Sequence, residues 1–92
     1  MEIRLDLYKH CIQTSLKRLQ EQTLSNYFAN RIDEITLEQT LSFVQCALNN
    51  LDFPRLRSQY PDLAGGTHAK VVLSMDEAGQ LTLTINGNPI AP

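Results

Sequence analysis

The sequence predicts a single α+β domain: a long, kinked N-terminal helix, a second antiparallel helix, an irregular loop and a C-terminal two-stranded β-hairpin. Three observations predict it. No Gly or Pro interrupts the stretch from Ile3 to Ile32, apolar residues recur at three- and four-residue steps as far as Leu51, and strict alternation runs from Ala69 to Asn86. The chain thus divides into a helical hairpin (residues 3–51), a loop (52–68), a β-hairpin (69–86) and a tail (87–92).

In the first helix Leu5, Tyr8, Ile12, Leu16 and Leu19 form one stripe. After Leu19 the stripe loses phase, and Leu24, Phe28 and Ile32 form a second run turned by more than a right angle, at about 100° per residue. A continuous helix through both runs spans about 45 Å at 1.5 Å per residue. Near Gln22–Ser25 the helix either breaks, with Thr23 or Ser25 as a cap, or continues with a kink, and the absence of a strong breaker favours the kink. Thr36 and Gln39 then read as a capping box for a second helix, whose stripe is Leu37, Leu41, Val44, Leu48 and Leu51. Asn49–Asn50 and Phe53–Pro54 mark its exit.

Residues 52–68 carry Pro54, Pro61 and Gly65–Gly66 and read as irregular, a length of loop that is uncommon in a compact domain. The hairpin is better specified. Val71, Leu73 and Met75 alternate with polar residues on one side of Asp76–Glu77–Ala78–Gly79, and Leu81, Leu83 and Ile85 on the other. Asp first and Gly fourth suit a type I turn with a left-handed bulge residue, which pairs Asp76 with Gln80, Leu73 with Leu83 and Val71 with Ile85. Asn86–Gly87 ends the second strand, and Pro89–Ile90–Ala91–Pro92 is too proline-rich to extend the ladder.

Length and composition bound the function. Ninety-two residues make one domain, and a chain this short buries only about 60–65% of its extended surface. At 42% hydrophobic and 20% charged it is neither disordered nor a membrane span, and the charged N-terminus is no signal peptide. The expected compartment is the cytoplasm, with Cys11 and Cys46 reduced. Eight Lys and Arg against ten Asp and Glu argue against nucleic acid, whose binding rests on basic excess. The second helix, with no Lys or Arg, is a poor reader of a DNA groove. A basic first helix and an acidic second one read as complementary within the chain.

No spacing assembles a metal site, a cofactor site or a catalytic pair. Asp6 and His10 share a helical face, but His10 and Cys11 diverge by about 100° and cannot act together. A fold-back near Ile35 sets Cys46 opposite Gln22 and leaves Cys11 about 16 Å further along the helix, beyond disulfide reach. Gly65–Gly66 leads into a strand and offers no helix N-terminus to a phosphate. Arg55 and Arg57 suit an anion or an acidic partner, and also local pairing with Asp52, Asp62, Asp33 or Glu34.

What remains is surplus apolar surface. The second helix covers only the far half of the first, one hairpin covers one stripe, and a two-stranded sheet has two open edges. A second copy of the chain relieves all three, by packing helices or joining hairpins across a two-fold axis. The expectation is a non-catalytic interaction or regulatory module, homodimeric and open to a further protein partner. Its candidate contact residues are Ile3, Leu7, Tyr27, Phe28, Arg55, Arg57 and Tyr60. The alternative is a nucleic-acid-binding regulator using Arg55, Arg57, Lys17 and Arg18.

Overall fold

The computed structural model describes residues 1–91. It is α+β, with helices packed on one face of a four-stranded antiparallel sheet. In chain order the elements are β1 (Glu2–Leu7), α1 (Ile12–Phe28), α2 (Glu34–Asn50), α3 (Phe53–Gln59), a 3₁₀ turn (Pro61–Ala64), β2 (Ala69–Met75), β3 (Leu81–Ile85) and β4 (Asn88–Ile90). The strands lie in sequence order, β1-β2-β3-β4.

The β2–β3 hairpin has the expected register, with Met75 opposite Leu81, Leu73 opposite Leu83 and Val71 opposite Ile85. Its turn closes through Gly79 N–H to the Asp76 carbonyl (3.0 Å) and Asp76 N–H to the Gln80 carbonyl (3.1 Å). Gly79, at φ 81°, is the left-handed residue that the bulge needs.

The first element departs from expectation. Residues 2–7 are a strand paired antiparallel with β2, Ile3 opposite Leu73 and Leu7 opposite Ala69, and the helix begins only at Ile12. A 45 Å helix is excluded, because the molecule measures 38 Å along its longest axis. The expected kink at Gln22–Ser25 is absent; α1 runs through it and stops at Phe28. The stop is built by Asn30, left-handed at φ 60°. Arg31 N–H reaches back to the Asn26 carbonyl (2.8 Å) and Asn30 N–H to that of Tyr27 (3.0 Å), the Schellman pattern. α2 is capped by Asp33, whose carboxylate accepts the Thr36 N–H at 2.8 Å, so Thr36 lies inside the helix and is not its cap.

Two further corrections concern the sheet and the loop. Residues 52–68 are largely helical: Asp52 caps α3, and Phe53, Leu56 and Leu63 turn into the core. Pro89 and Ile90 do join the ladder, as part of β4. Asn86 (φ 50°) and Gly87 (φ 84°) make the two-residue turn that leads into it. In such a turn Ile85 and Asn88 form the bonded pair, so Pro89 falls at the next, unbonded position, where its missing N–H is not needed. The two edges expected of an isolated hairpin are therefore covered by β1 and β4 of the same chain.

The core lies between the sheet and the roots of the helices. Leu7, Ile12, Leu16, Val44, Leu56, Leu63, Leu73 and Leu83 are its largest fully buried members. α1 and α2 run antiparallel, tied at their flanks by Gln20 Nε2 to Gln45 Oε1 at 3.4 Å. No ion pair joins them among the described residues, so the basic and acidic helices do not neutralise each other directly.

Candidate functional site

The candidate residues do not converge. Ile3 and Leu7 point from β1 into the core, with Leu7 wholly buried, and are structural rather than free contact residues. Strand alternation sends them inward while Glu2, Arg4 and Asp6 face solvent. Arg55, Arg57 and Tyr60 belong to α3 and its end. Arg55 approaches Asp52 at 4.0 Å and donates to Gln59 Oε1 at 2.9 Å. Arg57 donates to Gln13 Oε1 at 3.4 Å, and Tyr60 packs half-buried against the core. Local partners thus occupy both arginines.

Tyr27 and Phe28 lie elsewhere, at the far end of α1. The buried apolar residues of α1 (Ile12, Leu16) and of α2 (Phe43, Val44, Ala47) lie in the halves away from the turn that joins the two helices. Phe28 is 78% exposed, Ile35 65% and Leu24 38%. Tyr27, half-buried, meets the Phe28 ring edge-on at 5.7 Å. Leu24 and Phe28, four residues apart on α1, and Ile35 in the first turn of α2 make an apolar knob at the end of the helix pair, whose charged neighbours Arg31, Asp33 and Glu34 are also exposed. Ile35 was not among the expected contact residues. Its signal was position: the first turn of α2, off that helix's stripe.

A second feature surrounds Cys11, which occupies the N-cap of α1. Burial pushes its thiol up. The Thr14 hydroxyl (3.4 Å), the backbone N–H groups of Thr14 and Gln13, and Arg57 together outweigh that, and its pKa lies below the ordinary thiol value. Cys11 and Cys46 are both free. Gly65 packs on this loop, its Cβ position only 3.1 Å from the His10 carbonyl carbon, and Gly66 N–H bonds the Tyr8 carbonyl. Tyr8 stacks on His68 with ring centres 4.2 Å apart. Asp6 and His10 therefore sit on a strand and a loop, not on one helical face.

An open groove of about 850 Å³ runs between α2 and the β2–β3 turn, floored by Phe43, Met75 and Met1 and rimmed by Glu38 and Asp76. Among the described residues no three His, Cys, Asp or Glu side chains gather as a metal site, and no helix is long and apolar enough to cross a membrane.

No curated protein and no solved structure matches the chain. One family model does, over residues 1–84, a span that takes in every element from β1 to β3 save the last residue of that strand. The chain belongs to the family that this model describes.

Proposed function

We propose that the protein is a non-catalytic protein–protein interaction or regulatory module that works as a homodimer in the cytoplasm. The observation that carries this reading is the apolar knob at the tip of the α1–α2 pair, above all Phe28 at 78% exposure. A chain of 92 residues has little apolar surface to spare for its own core, so leaving Phe28, Ile35 and Leu24 in water favours a role outside the fold. An apolar knob fits a partner protein with an apolar groove, where a buried aromatic anchor supplies much of the affinity. Its ring, held edge-on against Tyr27, is partly preorganised for that.

The nucleic-acid reading has less support, because Arg55 and Arg57 are held by their neighbours and only Lys17 and Arg18 are left on an open helix face. The experiment is affinity capture from the native host with the wild type and a Phe28→Ser/Ile35→Ser variant. A protein retained in near-equal amount by the wild type and lost by the folded variant supports the knob as the contact surface. Equal retention by both refutes it, and salt-sensitive retention of RNA or DNA instead promotes the alternative. Sedimentation as a monomer at high micromolar concentration removes the homodimer.

A further inference from the structure

Resting on the homodimer reading, we propose that the two-fold contact is made by the free edge of β1, pairing antiparallel with β1 of a second copy so that Arg4 of each lies opposite Asp6 of the other. The two outer strands of the sheet differ. β4 is three residues long and carries Pro89, two of the devices by which proteins blunt an edge. β1 is six residues long, without Pro, Gly or bulge, in full register with β2.

Its open hydrogen-bonding groups can be identified. Met75 N–H donates to the Met1 carbonyl (3.1 Å), and the Met1 amino group to the Met75 carbonyl (3.5 Å). Met1 and Met75 are thus a bonded pair, and bonded pairs alternate along an antiparallel ladder. Odd-numbered residues of β1 therefore face β2, and Glu2, Arg4 and Asp6 turn their N–H and C=O groups to the free edge. No backbone bond to these three reaches in from that side among the described residues. At Tyr8 the free stretch ends, because the Gly66 N–H takes its carbonyl.

Backbone geometry permits only registers that put even residues opposite even ones, and the side chains choose between them. With Arg4 opposite the partner's Arg4, like charges meet at the centre and Glu2 faces the partner's Asp6. That register is disfavoured. Shifting by one repeat centres the two-fold on Leu5 and sets Arg4 against the partner's Asp6 on both sides of it. On the inner face this register sets Leu5 against the partner's Leu5, while Ile3 and Leu7 stay buried within their own chain. Leu5, the only inward residue of β1 that is not buried within its own chain, is covered by this arrangement. The opposite shift, centred on Ile3, also pairs opposite charges but overlaps only residues 1–5. Arg4 is 83% exposed and paired at 2.8 Å with Glu2 of its own strand, and Asp6 is exposed beside it, so both side chains are accessible to a second copy.

The test is sedimentation velocity of the full chain over micromolar concentrations, with Arg4→Asp, Asp6→Arg and the doubly swapped chain. The wild type sediments as a dimer, either single variant dissociates about tenfold more readily or worse, and the double variant regains the dimer because its charges are merely exchanged. Both positions of change face solvent, and unaltered circular dichroism establishes that the variants fold. A dimer indifferent to the single changes, or not restored by the double, overturns the edge pairing and leaves the homodimer standing. A wild type that stays monomeric overturns both. A dimer lost on Phe28→Ser but not on Arg4→Asp places the contact at the knob instead.

Discussion

The two ends of the α1–α2 pair are made of similar residues and do different things. At the root, Ile12, Leu16, Val44 and Ala47 are wholly buried in the core they share with the inward residues of the sheet. At the tip, Leu24, Phe28 and Ile35 stay exposed to different degrees, Phe28 the most, with its ring edge-on to Tyr27. Helical amphipathicity is a property of sequence, whereas burial depends on whether another layer stands opposite. Buried apolar residues are concentrated at one end of the helices and exposed ones at the other.

The largest expected effect is at the root. Leu16→Ala or Leu73→Ala empties space in the closed core and should cost about 2–5 kcal/mol in denaturant unfolding, enough to leave little of a marginal domain. If either costs less than about 1 kcal/mol, the root is not the close-packed region described here. Next comes the loop that buttresses the start of α1. Gly65→Ala adds a Cβ 3.1 Å from His10 backbone at φ 90°, and should destabilise by about 1 kcal/mol or more, whereas Gly66, with open space around it, loses less. A smaller change of the same kind is Asp52→Ala, which removes the carboxylate that accepts the Arg55 N–H at 3.3 Å and should cost about 0.5–1 kcal/mol.

Two pH-dependent effects are smaller still. The Thr36 hydroxyl and N–H hold the Asp33 carboxyl below its usual value. Its contribution is fully present above the unfolded-state pKa and fades as pH falls through the lower, folded one, so Asp33→Asn should flatten the acid limb of the stability curve. Cys11, lowered in spite of its burial, should reach half its maximal alkylation rate below the pH typical of a free thiol, and Thr14→Val should move that midpoint upward. An unmoved midpoint would show that the Thr14 hydroxyl is not what stabilises the thiolate.

The parts of the fold legible in the sequence are those decided within a few residues. The β2–β3 register follows from Asp76, Gly79 and a strict alternation around them, with no distant contact needed. β1 was legible in principle, since Ile3, Leu5 and Leu7 alternate with Glu2, Arg4 and Asp6. The same residues also fit a helical stripe through Leu5, Tyr8 and Ile12, and the partner that decides for strand lies more than sixty residues away. Asn30 ended α1 and Asn86–Gly87 opened β4 because Asn tolerates a left-handed backbone, a signal weaker than Gly or Pro when sought as a break. The candidate site divides in the same way. Loss of helical phase after Leu19 marked Tyr27 and Phe28 as off the main stripe. Burial of Ile3 and Leu7 depended on a strand assignment that periodicity alone left ambiguous.

The central claim is that the apolar tip is surplus to folding, and the unfolding free energy of Phe28→Ser/Ile35→Ser tests it most directly. The double variant should unfold within about 0.5 kcal/mol of the wild type at low protein concentration, as exposed positions do. A loss of about 2 kcal/mol or more would mean that the tip is part of the core, and that its exposure is not free surface for a partner.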